Sequence, residues 1–435
     1  MDRGASQGDR GVRSLIPSAP HDYPPALKRA LALESKRILV PTAVNSALSF
    51  ARPPQAILVA CTRRIGDVLL ATPLVHSFKQ HWPDVAIDMV VFRGTESVLE
   101  GNPDIRNVIV VERRAKPKER LADALRLWRR YDLSLAVTSS DRARFYAWFA
   151  GRKRVGLVDS QRITRTARLM LHRIAPDHQL DDHIVASGLS LAPLVGVAPV
   201  GEVVAPSSAD PMRREWLRAR LAAPPAAREG QPLAVVHPSP MYRYKQWRVD
   251  GWAGLVRWLR SNGYAVALTG GPGDAERAYA EEVIAAAGEP VVNFVGELSF
   301  GETADVIRQA KLFVGPDTGA THVAAACGTP TLALFGPSDP VRWGPWPQHW
   351  PADGEMPWQR RGSGRQGNVY LLQGDGDCVP CRQEGCERRV DSTSDCLTGL
   401  SISRVIAAAA EMLGMPAPHS DVSAEISVPL PKPQR

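Results

Sequence analysis

Three short stretches of this chain hold residue types that can do chemistry together. Gly66-Asp67 follows an apolar run at 56–60 and precedes an amphipathic stretch, so it reads as a strand-to-helix turn with a carboxylate in the first helical turn. Such an aspartate either only caps its helix or faces the cleft between the two halves of the chain, its charge stabilised by the helix end. His237-Pro238-Ser239 ends a second apolar run, and Lys245 follows shortly before Trp247. A lysine beside strand-end hydroxyls and N–H groups is a counter-ion for a diphosphate, or else a surface lysine whose stem packs on Trp247. The third stretch, 314–340, reads VGPDTGATHVAAACGTPTLALFGPSDP. A buried strand there ends in a loop that feeds a small-residue helix at 320–327, and the free N–H groups at such a helix start suit a phosphate or an oxygen-rich ligand. His322, one turn in, reads as a buried histidine bonded to a carbonyl. Gly270-Gly271-Pro272-Gly273 is a close-approach loop that fits a base or ribose, with Glu276 just beyond to accept from ribose hydroxyls, or it is only a flexible connection.

The elements that must position these residues alternate. Strands are expected at 56–60, 85–92, 108–111, 133–137 and 154–156, with helices at 68–81, 118–130 and 142–149 between them. After a looser, proline-rich region the alternation restarts: strands at 233–236, 265–269, 291–294, 311–314 and 331–335, helices at 249–262, 274–287, 303–309 and 320–327. Alternation of this kind predicts an α/β fold with mostly parallel sheets, in which ligands bind beyond the carboxyl ends of the strands. The expected organisation is a disordered N-terminus with an amphipathic helix at 25–49 (1–54), a first Rossmann-like half (55–195), a linker region (196–232), a second half (233–400), a helix capped by Ser401 (401–414), and a disordered tail (415–435). Residues 343–376, rich in Pro, Gly, Trp and Arg, read as a long surface insertion with a short strand at 369–372.

Composition narrows the partners. A chain of 435 residues exceeds one usual core, so two domains are expected. The net charge of +8 favours anionic partners, but no nucleic-acid fingerprint accompanies the arginine-rich patches at 106–130, 142–173 and 360–365. Those patches suit docking on a negative membrane surface or an acidic glycolipid. No apolar run spans a bilayer and the first residues lack a signal-peptide core, so the expected place is the cytoplasm, with peripheral contact at the inner face of the inner membrane. The first turn carries no G-x-G-x-x-G, which counts against a nicotinamide dinucleotide. Cys378, Cys381, Cys386 and Cys396 cluster, and four thiolates can close a structural zinc site, or remain reduced thiols in a cysteine-rich loop.

Four separated motifs then carry a resemblance: R-I-G-D-x-L-L-x-T-P at 64–73, Lys245-x-Trp247, G-x-D-T-G-x-x-H-x-A-A-A at 315–326 and F-G-P-S-D-P at 335–340. Together, and in this order over about 55–414, they resemble the heptosyltransferases, the ADP-heptose:lipopolysaccharide glycosyltransferases of family 9. The resemblance implies a GT-B fold, two facing Rossmann-like domains, and inverting transfer of a heptose from ADP-heptose to a lipopolysaccharide core acceptor without a catalytic cofactor. It implies Asp67 as general base, Ser239 and Lys245 on the donor diphosphate, Thr318 and Gly319 presenting N–H or hydroxyl groups to the same phosphates, and Asp317 on a donor-sugar hydroxyl. His322 fits the motif in a donor-side or structural role. The cysteine stretch also resembles a feature of many members. Residues 240–244 lack the small hydroxyl cluster of some relatives, and the N-terminal extension and 343–376 fall outside the common pattern. A nucleotide-sugar-binding protein without transfer activity and a sugar-nucleotide epimerase are the alternative readings.

Overall fold

The first sheet is built around a strand that reads apolar at every position. β1 (Ala56–Cys61) is covered on both faces, as a central parallel strand must be. The computed structural model describes residues 47–416, so the helix expected at 25–49 and the tail lie almost wholly outside the described residues. Around β1 stand β2 (Ala86–Phe92), β3 (Asn107–Val111), β4 (Tyr131–Ala136), β5 (Gly151–Asp159) and β6 (Arg173–Asp177), in the order β3-β2-β1-β4-β5-β6, every pair parallel. The helices of this half are α1 (Ile65–Leu69), α2 (Thr72–His81), α3 (Pro117–Arg126), α4 (Asp141–Ala150), α5 (Arg165–Met170) and α6 (Ile184–Leu189).

The single helix expected at 68–81 is two. Pro73 cannot donate a backbone hydrogen bond and suits a first helical turn, so the chain ends α1 at Leu69 and restarts at Thr72, whose hydroxyl donates to the Leu69 carbonyl at 2.7 Å. β6 escaped the sequence reading because it is a short edge strand with Pro176 inside it, a composition that argues for loop. The region taken as linker, 196–232, holds α7 (Pro211–Leu221), whose Asp210 side chain accepts from the Met212 N–H at 2.9 Å.

The second sheet has β7 (Leu233–Val236), β8 (Ala265–Leu268), β9 (Val292–Asn293), β10 (Ala310–Pro316), β11 (Thr331–Phe335), β12 (Gly364–Gln366) and β13 (Val369–Gln373), in the order β12-β13-β11-β10-β7-β8-β9. It is parallel except where β12 pairs antiparallel with β13. Its helices are α8 (Val249–Ser261), α9 (Asp274–Ala287), α10 (Phe300–Arg308) and α11 (Gly319–Ala326), followed by α12 (Ile402–Met412) near the chain end. The Ser401 hydroxyl accepts from the Arg404 N–H, Gly414 stops the helix at φ +67°, and Val405, Ile406 and Ala409 bury against this sheet's core.

Residues 343–376 are not a surface insertion. Trp346 and Trp358 are buried, Trp346 donates from Nε1 to the Gly201 carbonyl at 2.8 Å, and β12 and β13 extend the sheet. The tryptophans, read as loop residues among Pro and Gly, are apolar anchors. One apolar cluster runs from Ile57 and Val59 of the first sheet through Val235 and Phe313 of the second to Val323 of α11, so the halves are packed against each other.

Candidate active site

Asp67 is set by its own turn. Arg64 precedes α1 with extended backbone and its N–H donates to Asp67 Oδ2 at 3.2 Å, while Arg63 Nε lies 3.8 Å from Oδ1. Oδ1 is buried and accepts no hydrogen bond. Burial pushes the carboxyl above its ordinary range, and the Arg63 charge, the Arg64 N–H and the Arg342 charge only partly offset this. A carboxylate held this way is a stronger base than a solvated one, with one oxygen uncommitted.

Across from it, Asp317 follows β10 and is buried, accepting from Lys245 Nζ at 2.5 Å and from the Ser338 hydroxyl. Burial alone would raise its pKa, but the neighbouring Lys245 ammonium, His322 and these hydrogen bonds outweigh it and hold the carboxyl below the usual range. His322 Nε2 is 4.0 Å from Asp317 Oδ1, and its Nδ1 is buried without a hydrogen-bond partner. Burial depresses the imidazole to about 4 against the opposing pull of Asp317, so it is neutral at pH 7. The ring is not bonded to a carbonyl, as expected of a purely structural histidine. It packs on the turn that carries Asp67: a Cβ on Gly66 would stand 3.7 Å from His322 Cδ2.

Two more contacts join the halves here. Ile65 Cγ2 closes on Gly319 to within 3.3 Å of where a Cβ would be, and the Arg64 guanidinium lies 5.2 Å from the Tyr242 ring centroid. Asp67, Lys245, Asp317, Gly319 and His322 therefore share one cleft at the carboxyl ends of β1, β7 and β10. Thr318 and Gly319 start α11 and are partly accessible, and Thr318 makes no side-chain cap to the first N–H groups of that helix.

Other expectations are not met. Ser239 is fully buried and its hydroxyl donates to the Glu276 carbonyl at 3.1 Å, so it is not offered to a ligand. Glu276 is spent on its own helix: its Oε2 accepts from the Gly273 N–H at 3.3 Å, and a Cβ on Gly271 would stand 2.4 Å from that oxygen. Close approach in the glycine loop thus serves this carboxylate. Lys245 does not pack on Trp247, which is buried and donates from Nε1 to the Leu400 carbonyl at 2.8 Å. Sequence reasoning missed Arg342, buried with Nη1 3.0 Å from Asp177 Oδ1 and 2.9 Å from the Ser187 hydroxyl, a bridge between halves whose charge also reaches Asp67. The signal available was an arginine in the first turn after a loop motif, which is too weak to single out.

Cys378, Cys381, Cys386 and Cys396 are free thiols on one loop system. Burial, and then the proximity of Cys381, Cys386 and Cys378, pushes Cys396 up to about 12. Among the described residues no group of three or more His, Cys, Asp or Glu side chains stands ready to hold an ion. The loop instead braces the cleft: the Ser394 hydroxyl donates to the Tyr244 carbonyl at 2.7 Å, and the Arg382 N–H to the Pro337 carbonyl at 2.8 Å.

Residues 119–352, more than half of the chain, match the model of glycosyltransferase family 9 (heptosyltransferase). The chain belongs to that family. Among its relatives, lipopolysaccharide heptosyltransferase 3 of Escherichia coli is 29% identical over 309 residues, covering 67% of this chain and 88% of the relative. Lipopolysaccharide heptosyltransferase 1 of Pseudomonas aeruginosa is 27% identical over 295 residues, covering 65% and 79%. The fold matches the solved ADP-heptose LPS heptosyltransferase II of E. coli with a TM-score of 0.63 at 19% identity, over 82% of this chain and 98% of that one. E. coli heptosyltransferase WaaC with ADP matches with a TM-score of 0.55 at 22% identity, over 74% and 94%. This family 9 glycosyltransferase has the GT-B fold, and its membership makes it an enzyme, which displaces the readings as a binding-only protein or an epimerase.

Proposed function

We propose that this glycosyltransferase moves a heptose from ADP-heptose to a lipopolysaccharide core acceptor in one inverting displacement. The supporting observation is the pairing of an uncommitted, buried Asp67 oxygen with the Lys245–Asp317 pair across the same cleft. The names of the relatives, lipopolysaccharide heptosyltransferases, support the substrate class. In the step, Asp67 takes the proton of the acceptor hydroxyl as its oxygen forms a bond to the anomeric carbon. The bond from that carbon to the diphosphate breaks, and its electron pair leaves with ADP. Lys245 has three N–H donors, of which Asp317 takes one, leaving two for the departing diphosphate beside the α11 N–H groups. Charge developing on the leaving group is thereby met more strongly in the transition state than in the ground state. Asp317 and His322 position the lysine and the donor sugar.

With that charge supplied by the chain, transfer needs no metal, and chelator should leave the rate unchanged. A structural zinc at Cys378, Cys381, Cys386 and Cys396 is a separate proposal that requires the four thiolates to turn toward a common centre. About one zinc per chain in protein purified without chelator supports it, and none removes it. The function itself is tested by incubating the protein with labelled ADP-heptose and a heptose-deficient core acceptor, beside UDP- and GDP-sugars. Heptose transfer with inverted anomeric configuration supports the reading; transfer only from another nucleotide sugar, or retention, overturns it.

A further inference from the structure

The charge of this chain is not spread evenly. Between 113 and 173 there are 17 Lys and Arg against 5 Asp and Glu, a net +12 where the whole chain carries +8, so the remainder is net acidic. The helices of that stretch share one face of the first sheet. α3 and α4 bury Ala124, Ala143 and Ala147 against Leu58, Ala60 and Val90. α5 buries Ala167 on Val158, which points opposite to its β5 neighbours Val155 and Leu157 of the large core, and α4 touches α5.

The outer surface of this layer is apolar as well as basic. Leu121, Leu125, Trp128, Trp148, Ile163 and Leu169 are six of the ten large hydrophobic side chains exposed among the described residues, with Leu125 at 55% and Leu169 at 79%. Trp128 meets Phe149 at 5.5 Å and Phe149 meets Trp148 at 4.8 Å, so the aromatic part is continuous, with the Arg129 guanidinium 5.5 Å from the Trp128 ring. Arg129, Arg130, Arg162, Arg165 and Arg168 face no acid within ion-pair distance among the described residues. Beside the ridge lies a cavity of about 620 Å³ lined by Arg106, Arg126, Arg129, Arg130 and Arg152. Its one acid, Asp88, is already bonded by Arg106 and Tyr131. Unpaired arginines flanking tryptophan and leucine suit the headgroup layer of an anionic membrane: the rings and leucines enter the interface and the guanidinium groups meet phosphate.

We propose that the α3–α4–α5 face docks this enzyme on a bilayer of anionic phospholipid. The inference rests on the proposed lipopolysaccharide acceptor, whose lipid holds it in a membrane, and it makes the half carrying Asp67 the half that meets that surface. Among the described residues no helix is long and apolar enough to cross a membrane, so contact by this face is peripheral.

The test is co-sedimentation of the full chain with phosphatidylcholine vesicles that contain or lack phosphatidylglycerol. Wild type should bind the anionic vesicles, bind the neutral ones weakly, and lose binding as salt rises. Leu125→Ser/Trp128→Ser/Leu169→Ser and Arg162→Glu/Arg165→Glu/Arg168→Glu should each weaken binding at least about tenfold. Both should keep the thermal midpoint and the wild-type rate on a water-soluble truncated acceptor. No preference for anionic vesicles, wild-type binding by both variants, or capture of an RNA oligonucleotide in place of vesicles would overturn the proposal. Vesicle binding without heptose transfer would sink the functional reading and leave the docking face standing; transfer to the soluble acceptor without vesicle binding would do the reverse.

Discussion

Replacing Asp67 with Asn separates a catalytic carboxylate from a structural cap, because the two roles move stability in opposite directions. Asn keeps an oxygen for the Arg64 N–H, so the turn survives, but it cannot take a proton. The carboxyl is raised above its ordinary range, chiefly by burial, so its ionised form is disfavoured in the native state. The sign follows: Asp67 adds no penalty below its unfolded pKa, and stability is lost as pH rises through the higher folded value. At neutral pH the Asn variant should therefore be more stable than wild type, because it buries no ionised carboxylate at this position. That difference should vanish as pH falls below the ordinary carboxylate range. Turnover should drop at least about 100-fold with donor affinity kept, the scale of general-base catalysis. Urea unfolding at several pH values, beside steady-state transfer kinetics, measures both. Near-normal turnover, or a variant less stable than wild type at neutral pH, would make Asp67 the cap of α1 and end the mechanism proposed for it.

Other perturbations follow from the same geometry. Lys245→Met should cost about 100-fold or more in turnover, and it strands the buried Asp317 carboxylate at a cost of about 3 kcal/mol; adding Asp317→Asn should restore urea stability without restoring transfer. The acid limb of the kcat/KM profile should lie above the ordinary aspartate pKa and belong to Asp67, and His322→Gln should leave its position unchanged because the imidazole, at about 4, is neutral throughout pH 6–8. Gly251→Ala places a Cβ 2.6 Å from the Trp247 ring and should lose about 1–3 kcal/mol by denaturant titration. Gly66→Ala, with 3.7 Å to His322, should fold and turn over nearly as wild type.

The sequence carried the parallel α/β alternation, because strands buried on both faces read as unbroken apolar runs and their helices as amphipathic stretches. It was silent where an element is short or lies at an edge: β6 holds a proline, and α7 hides behind proline-rich flanks though Asp210-Pro211 is a usable start signal. At the site, Asp67, Lys245, Asp317, Gly319 and His322 were legible as loop residues after strands, and the fold brings them together. Ser239 misled because position in a motif does not show where a hydroxyl points; only packing against α9 shows that it is spent on the Glu276 carbonyl. Arg342 was illegible for the opposite reason, since its partners Asp177 and Ser187 lie in the other half of the chain.

Those long-range partners bear on how Asp67 and Lys245, from different halves, keep their spacing. On one side of Asp67, Arg342 binds Asp177 and Ser187 while the buried His183 ring donates from Nε2 to the Gly344 carbonyl at 2.8 Å. On the other, the Glu100 carboxylate of the first half accepts from the Ser299 hydroxyl at 2.8 Å and the Gly301 N–H at 3.2 Å, at the start of α10 in the second half. The first contact is buried and charge-assisted, so opening it would strand an unpaired charge away from water. The second is partly solvated and can exchange its partners for water at small cost. Arg342 therefore fixes one edge of the contact between the two halves, while Glu100 holds the other through bonds that water can replace.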